Sequence, residues 1–289
     1  MTQEDLCKKR PIIEIFNSIE GESATMGEPT IFVRLTGCNL RCMFANSVCD
    51  TAYSSFKPEK GKYCYQDVID MMNKYPMTPS ISITGAEPFL NSDVVSELIN
   101  ICDGVYDKFI IVETNGSIVI DRNLLQRIDL LNISPKLSSS EPTQEKCDKL
   151  GIKMTEAMKS HAEKRYNKEA LWNMIQYARD FRLKYVVGDK SDFEEIEQQI
   201  RELMDYDISK RRVGSNTYQE RSPIVDEKGR ELWYDTLFIK PWNITLMPAG
   251  ATNDQLNQNR RMVAEYCAEH GYNYTDRLQI LIWGTEKER

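Results

Sequence analysis

Residues 30–51 read TIFVRLTGCNLRCMFANSVCDT. The segment opens on a short apolar run at 30–35, of the kind that forms a buried β-strand. Three cysteines, Cys38, Cys42 and Cys49, follow within twelve positions. Cysteines clustered in a chain of this length are more typical of a metal site than of a disulfide framework. The segment therefore predicts a strand that leads directly into a metal-binding loop.

Short apolar runs alternate with helical stretches along the rest of the chain. Predicted strands lie at 30–35, 80–84, 109–113, 130–133, 184–187, 244–247 and 278–283. Predicted helices lie at 66–74, 92–102, 154–180, 192–204 and 253–270. Most of the strands are continuous apolar runs, as expected when both faces of a parallel sheet are covered. The order of elements predicts an α/β fold with a parallel sheet, open or barrel-like.

Two polar stretches, residues 138–168 and 205–235, interrupt this order. The first opens on Ser-Ser-Ser-Glu-Pro, and the second is charged and poor in apolar periodicity. Surface loops or packing elements explain both most simply, while a lid or a dimer contact is the functional alternative. We expect a single domain over residues 1–289 that carries these two stretches as insertions.

Composition excludes several classes of function. The chain of 289 residues carries a net charge of −7, which argues against broad, salt-driven nucleic-acid binding. It has only two histidines, His161 and His270, too few for a histidine-rich metal site. Both lie in polar helical stretches, so we expect them to be solvated. No segment approaches the roughly 18 apolar residues of a membrane span, and we expect a cytoplasmic protein with reduced thiols.

Three clustered cysteines are one fewer than a closed metal site uses. Structural zinc takes four ligands, and iron–sulfur clusters are usually held by four thiolates. Cys64 is the one candidate for a fourth ligand, while Cys102 and Cys267 fall on predicted helices as core residues. With three thiolates, one iron of a cluster stays open to bind a substrate or cofactor. A zinc site completed by Cys64 and three unrelated buried cysteines remain as alternatives.

Polar turns follow three other predicted strands. They read Thr84-Gly-Ala-Glu-Pro88, Glu113-Thr-Asn-Gly116 and Ser134-Pro-Lys136. The carboxyl ends of parallel strands share one edge of the sheet, and ligands collect there. We therefore expect these turns and the cysteine loop to form one rim.

Taken together, these motifs resemble the radical S-adenosylmethionine superfamily and, within it, the 7-carboxy-7-deazaguanine synthase family. The cysteine loop resembles the superfamily's cluster loop, and 84–88 resembles its Gly-Gly-Glu-Pro motif. Further segments that carry the family resemblance are 14–22, 32–42, 49–51, 113–116, 134–136, 246–248 and 277–283. The match runs in order from about residue 11 to residue 284, apart from the two insertions.

The resemblance implies a partial (β/α) barrel of the radical S-adenosylmethionine type. It also implies the ring contraction of 6-carboxy-5,6,7,8-tetrahydropterin to 7-carboxy-7-deazaguanine with loss of ammonia, in the biosynthesis of queuosine-type bases. Cys38, Cys42 and Cys49 would hold a [4Fe–4S] cluster whose open iron binds S-adenosylmethionine. A reducing electron donor, flavodoxin-like or other, and a homodimer are implied as partners, without a membrane or nucleic acid.

The resemblance assigns the remaining site residues by position. Thr51 would bind Mg²⁺. The residues that would bind S-adenosylmethionine are Asp50, Gly85, Ala86, Glu87, Thr114, Ser134, Pro135, Lys136 and Met247. The residues that would bind the substrate are Ile19, Glu20, Gly21, Glu22, Arg34, Thr84 and Gln279. No side chain is assigned as the catalytic group, because the cluster and the radical carry the chemistry.

The chain departs from the family pattern at four points. Six residues separate Cys42 from Cys49, where the superfamily commonly has two. Ala86 replaces the second glycine of the Gly-Gly-Glu motif. Glu20 stands where the family usually has Gln, and Gln279 stands where it usually has His.

Two other functions share part of this pattern. An activase that abstracts hydrogen from a glycine of a partner protein would use the same cluster loop, but would not need 20–22 or 49–51. A non-catalytic module would use the three cysteines and Cys64 to bind structural zinc.

Overall fold

The fold is built on one mixed β-sheet of eight strands. The computed structural model describes residues 2–44, 47–214, 224–225, 231–232, 238–284 and 286. The strands are β1 (Ile12–Ile19), β2 (Pro29–Leu35), β3 (Ser80–Gly85), β4 (Phe109–Thr114), β5 (Leu130–Ile133), β6 (Phe181–Val187), β7 (Ile224–Val225), β8 (Glu231–Leu232), β9 (Ile244–Pro248) and β10 (Asn273–Tyr274).

The order of strands in the main sheet is β1-β2-β3-β4-β5-β6-β9-β10. β1 runs antiparallel to β2, and every other neighbouring pair is parallel. β7 and β8 pair with each other as a separate two-stranded sheet.

Helices connect the strands. They are α1 (Gln3–Cys7), α2 (Ala52–Ser55), α3 (Tyr65–Lys74), α4 (Ser92–Val105), α5 (Arg122–Leu125), α6 (Gln144–Leu150), α7 (Glu156–Lys159), α8 (His161–Lys164), α9 (Lys168–Tyr177), α10 (Ser191–Gly214), α11 (Asn253–His270) and α12 (Leu278–Trp283). In the part of the chain that the structure describes, no helix combines the length and apolarity needed to cross a bilayer.

Alternate residues of each parallel strand face opposite sides of the sheet. On β3, Ile81 and Ile83 join the apolar core under the helices, while Thr84 faces the other way and lines a cavity. The same cavity is lined from β2, β4, β5, β6 and β9 by Arg34, Glu113, Asn132, Lys184 and Met247. Side chains from all these strands can meet in one cavity only if the sheet curves around it. The sheet is therefore a partial (β/α) barrel, as expected from the sequence.

The segment between β1 and β2 closes one end of this barrel. Ile19 pairs with Pro29, the first residue of β2, so the chain leaves β1 at the amino end of the parallel strands. From there Ser23 Oγ donates to Asn132 Oδ1 at 2.6 Å, and Ser23 N donates to Thr275 Oγ1 at 2.9 Å. The segment thus spans the barrel from β1 to β5 and to the residue after β10.

Three sequence predictions differ from the structure. The predicted strand at 278–283 is the helix α12, because a short apolar run does not separate strand from helix by periodicity. The predicted helix at 154–180 is three helices, since Thr155 and Asn167 accept backbone hydrogen bonds as N-caps within it. β1 was missed, because Glu14, Asn17 and Ser18 interrupt its apolar pattern.

The two polar insertions have different structures. The one at 138–168 contains α6, α7 and α8. It also buries His161 completely, so the expectation that this side chain is solvated was wrong. Burial lowers the pKa of His161 to about 4, and nearby cations add to the effect. The insertion at 205–235 begins inside α10 and includes β7 and β8. Its residues 215–223, 226–230 and 233–235 lie outside the described part of the chain.

The helical assignment of α12 gives a testable pair of substitutions. Ile280 is 6% exposed and Leu281 is 46% exposed. We expect Ile280→Ala to lower the free energy of unfolding by about 2 kcal/mol or more, and Leu281→Ala by less than about 0.5 kcal/mol. Urea denaturation of both variants measures this difference. Equal losses would contradict the packing of α12.

Candidate active site

A cavity of about 690 Å³ lies on the concave side of the barrel. Its mouth is formed by the loops that follow the carboxyl ends of the strands, including all three cysteines of the 38–49 loop. Its floor is formed by Glu20 and Glu22, from the segment between β1 and β2. The volume is in the range of small-molecule and cofactor sites.

Backbone contacts bring the third cysteine of the loop back to the second. Cys49 N donates to Cys42 O at 3.0 Å, and Met43 pairs with Val48 in an antiparallel bridge. With two intervening residues, the same pair of backbone atoms would be joined by a single turn. The bridge and the hydrogen bond therefore return Cys49 to Cys42, although the spacing in sequence is longer.

The three cysteines that line the cavity are the candidate ligands of an iron–sulfur cluster. Burial raises the pKa of Cys38 to about 11 and of Cys42 to about 12, and it also raises the pKa of Cys49. These thiols are neutral at physiological pH and must release protons when they bind metal. Cys64 is the N-cap of α3 and is not among the described residues that line the cavity.

No three His, Cys, Asp or Glu side chains within the described ranges converge on one point, as a single metal ion requires. In a [4Fe–4S] cluster each thiolate binds a different iron, so the three sulfurs need not converge.

The turn after β3 depends on Gly85. Its φ is +149°, and a Cβ atom there would lie 2.3 Å from Leu35 O, so glycine is required. The only described residues other than glycine with positive φ are Ser23 and Asp107. Ala86 therefore keeps an ordinary backbone conformation, and the loss of the second glycine of the motif causes no strain.

Glu87 joins the turn after β3 to the turn after β4. Its carboxylate accepts from Thr114 Oγ1 at 2.8 Å, Asn115 N at 2.7 Å and Phe89 N at 3.1 Å. Burial raises the pKa of Glu87, and these hydrogen bonds oppose the rise. Glu87 is fully buried and is not among the described residues that line the cavity. Its hydrogen bonds therefore join the two turns of the rim.

A cation stands on the rim opposite this turn. Lys136 Nζ donates to Ser134 Oγ at 2.8 Å, and both residues line the cavity. The charge of Lys136 also acts to lower the pKa of the three thiols, against the larger effect of burial. This part of the rim therefore offers a positive charge beside the cysteines.

The floor of the cavity is a network of paired charges. Glu22 accepts from Lys184 Nζ at 2.6 Å and from Arg277 Nε at 3.1 Å. Burial alone would raise the pKa of Glu22, but these two cations hold it well below its usual range. Arg277 also pairs with Asp50 at the mouth of the cavity. Glu22 is therefore ionised, and Arg277 connects the floor to the cysteine loop.

Glu20 has the opposite electrostatics. Burial and the charge of Glu113 raise its pKa well above the usual value of 4.5. Its Oε2 atom is buried and has no hydrogen-bond partner among the described residues. A neutral carboxyl group offers one O–H donor and one carbonyl acceptor, as a glutamine amide offers N–H and C=O. Once protonated, Glu20 thus offers the same kinds of hydrogen-bonding group as the Gln that the family usually has here.

Gln279 lies directly against the floor. Its Nε2 donates to Glu22 Oε1 at 3.1 Å, while its Oε1 has no partner within the described structure. A Cβ atom on Gly21 would lie 1.9 Å from that Oε1, so Gly21 is needed for this close approach. Asn132 Nδ2, also in the cavity wall, is another buried atom without a described partner. Such buried polar atoms indicate a site that a polar ligand completes.

Comparison with known proteins identifies the family. No family model matches the chain. A 7-carboxy-7-deazaguanine synthase of Halobacterium salinarum is 34% identical to it over 278 residues, which cover 96% of this chain and 92% of that protein. The chain belongs to the 7-carboxy-7-deazaguanine synthase family. A synthase of the same name from Rhodopirellula baltica is 29% identical over 276 residues, 96% of this chain and 87% of that protein.

The fold agrees with that of a solved structure. The crystal structure of QueE from Escherichia coli superposes with a TM-score of 0.53 over 93% of both chains, at 18% identity. This likeness concerns the fold. The family and the fold expected from the sequence are both confirmed. Membership of the synthase family gives no support to the two alternative functions, the activase and the zinc module.

Most residues that the resemblance to the synthase family assigned do line this cavity. They are Ile19, Glu20, Gly21, Glu22, Arg34, Cys38, Cys42, Cys49, Asp50, Thr51, Thr84, Gly85, Ala86, Thr114, Ser134, Lys136, Met247 and Gln279. Glu87 and Pro135 are the assigned residues that do not line it.

Several charged or polar residues of the cavity had not been assigned. Among them are Glu113, Asn132, Lys184 and Arg277. A signal did exist for Lys184, a charged residue at the start of the predicted strand 184–187. Glu113 was quoted only as part of a turn, yet it accepts from Thr84 Oγ1 at 2.6 Å on the cavity wall.

The electrostatics of the floor predict opposite effects of two substitutions on stability. Glu20 has a raised pKa in the folded state, so wild-type stability falls as pH rises above about 4.5, where the unfolded carboxyl ionises. We expect Glu20→Gln to gain stability over wild type across that range, by up to about 1.4 kcal/mol per pH unit. Denaturant unfolding at pH values between about 4 and 8 measures this difference in stability.

Glu22→Gln is the matched control. The pKa of Glu22 is lowered in the folded state, so its stabilisation is complete above about pH 4.5 and is lost as pH falls. Glu22→Gln should be less stable than wild type at neutral pH, with a deficit that shrinks in acid. A parallel pH dependence for the two variants would show that the assignment of charges is wrong.

Proposed function

We propose that this chain converts 6-carboxy-5,6,7,8-tetrahydropterin to 7-carboxy-7-deazaguanine with loss of ammonia, as part of 7-deazapurine biosynthesis. The observation that carries this proposal is the composition of one cavity. Three thiols lie at its mouth, and a floor of carboxyl, amide and cationic groups lies beneath them. A redox cofactor and a polar bicyclic substrate can therefore be held face to face in one enclosed space.

Cys38, Cys42 and Cys49 would hold a [4Fe–4S] cluster at the mouth. Bound there with S-adenosylmethionine, the cluster supplies radical hydrogen abstraction. The chain's own residues orient the cofactor: Lys136 offers a cation for its carboxylate, and Met247 offers an apolar wall for its adenine. Gly85 and Ala86 present backbone groups close to the cysteines. Glu87 holds their turn in place by accepting a hydrogen bond from Asn115 N.

The floor would bind the pterin through complementary hydrogen bonds. Ionised Glu22 accepts from ring N–H groups, and the buried carboxyl group of Glu20 offers its Oε2 atom, which has no partner among the described residues. Arg34 is held through its Nε by Glu14 at 2.6 Å, which orients its planar guanidinium in the cavity wall. A planar donor group suits the substrate carboxylate. Thr84, Ile19 and Gln279 complete the pocket around the ring.

Thr51 would bind Mg²⁺ beside the substrate. Mg²⁺ prefers oxygen ligands, takes few of them from protein and fills its octahedron with substrate oxygens and water. The hydroxyl of Thr51 and the carboxylate of Asp50 both reach the cavity near the cysteines. A reducing electron donor, a homodimer and a cytoplasmic location belong to the same proposal, on the strength of the family.

Anaerobic turnover tests the proposal. With dithionite, S-adenosylmethionine, Mg²⁺ and the carboxypterin, we expect both 5′-deoxyadenosine and 7-carboxy-7-deazaguanine by liquid chromatography and mass spectrometry. Cys49→Ala should abolish both products, because it removes a cluster ligand. Cys64→Ala, the matched control outside the cavity, should retain both.

Two results would overturn parts of the proposal. Formation of 5′-deoxyadenosine without the deazaguanine would disprove the substrate and leave the radical chemistry. An active Cys49→Ala protein with an inactive Cys64→Ala protein would disprove the ligand assignment. Omission of Mg²⁺ should lower turnover, and unchanged turnover with a chelator would remove the role given to Thr51.

A further inference from the structure

The 38–49 loop is held from outside the barrel by the polar insertion at 138–168. Met43 N donates to Ser140 O at 2.8 Å. Arg41 N donates to Nδ1 of the buried His161 at 3.0 Å. Both donors belong to the loop that carries the cysteines, and both acceptors belong to the insertion. The insertion therefore satisfies backbone groups that the loop cannot satisfy itself.

The ring of His161 accepts the hydrogen bond from Arg41 N through Nδ1. Because Arg41 N donates to it, Nδ1 must be unprotonated, and the proton of the neutral ring resides on Nε2. That Nε2 lies 3.4 Å from Ser140 Oγ. The ring is fully buried, so solvent cannot replace the hydrogen bond to Arg41.

Lys146 forms a second contact between the two segments. Its Nζ donates to Met43 O at 3.0 Å and to two carbonyls of the insertion, Ser139 O and Glu141 O, both at 2.7 Å. All three donor positions of the ammonium group are thus used on backbone carbonyls. One of those carbonyls, Met43 O, directly follows Cys42 in the cysteine loop.

An apolar contact accompanies these polar ones. Met43 is fully buried against Cys147 and Met158, which form a small apolar cluster of their own, separate from the barrel core. Val48, the bridge partner of Met43, packs on the same cluster. Both partners of the bridge, Met43 and Val48, therefore pack on the insertion.

The insertion is itself fastened to the barrel. Arg165 pairs with Glu141 inside the insertion and with Glu195 of α10 at 2.8 Å. It also donates to Lys136 O at 2.9 Å, in the turn after β5. The insertion thus connects the cysteine loop to the rim of the barrel.

We propose that the 138–168 insertion positions the elongated cysteine loop for cluster binding, with His161 and Lys146 as positioning residues. A longer connection between two ligands has more conformations to lose on ordering, and the insertion offsets that cost with specific contacts. The inference rests on the proposed function only in taking Cys38, Cys42 and Cys49 as cluster ligands.

The test compares four variants with wild type. His161→Leu removes the acceptor for Arg41 N, whereas His161→Asn keeps an acceptor oxygen at the position of Nδ1. Lys146→Met keeps the aliphatic stem and removes the ammonium group. His270→Leu, at the only other histidine of the chain, is the matched control, because His270 is exposed on α11.

Two readouts are measured on each protein. In metal-free protein, we expect amide hydrogen exchange at Arg41 and Met43 to accelerate about tenfold in His161→Leu and Lys146→Met. After anaerobic reconstitution, iron loss to a chelator should accelerate at least about tenfold in the same two variants. His161→Asn and His270→Leu should behave as wild type in both readouts.

Each failure has a distinct signature. If wild type and all variants retain iron equally, the positioning role is wrong, whatever the exchange rates. If exchange at Arg41 and Met43 is unchanged in both variants, the contacts do not hold the loop and the proposal is equally wrong. If wild type itself binds no iron, the proposed function fails. Lys146→Met keeps the test decisive if His161→Leu does not fold.

Discussion

The buried carboxylate of Glu22, held between Lys184 and Arg277, is the interaction on which the interior of the barrel depends. Among the described strands, β1 and β10 do not pair, so backbone hydrogen bonds do not close the sheet. The closure is made instead by side chains: Glu22 leaves the first edge of the sheet and meets cations from β6 and from the residues after β10. Removing one partner of such a buried pair typically costs about 3–5 kcal/mol, because the remaining charge is left uncompensated.

The same constraint explains why the cavity is polar. Charged groups on the concave side of a sheet are tolerated only if each is paired or neutralised. Glu22 is paired, Arg34 is paired with Glu14, and burial and the charge of Glu113 raise the pKa of Glu20. One pocket therefore combines a paired carboxylate, a paired guanidinium and a buried carboxyl oxygen without a described partner, as the proposed recognition of a heterocycle with donors, acceptors and a carboxylate requires.

The sequence alone predicted the elements that have strong local signals. The parallel strands followed from their apolar runs, and the rim followed from the turns after them. Lys184 and Asn132 were missed because a single polar residue within an apolar run does not reveal which face of the strand it occupies. The helix α12 was taken as a strand because six apolar-rich residues fit both periods. His161 was judged from its polar neighbours in sequence, whereas its surroundings are formed by the loop around Arg41, 120 residues away.

The closure of the floor has a consequence for the order in which contacts form during synthesis. The hydrogen bonds that join residues 38–49 to the insertion reach no further along the chain than His161, whereas the floor needs Arg277 against Glu22, a separation of 255 residues. Contacts so distant in sequence form late, and during synthesis they must wait for the last segment to leave the ribosome. The contacts between the cysteines' segment and the insertion can therefore form on a nascent chain before Arg277 has joined Glu22 and Asp50.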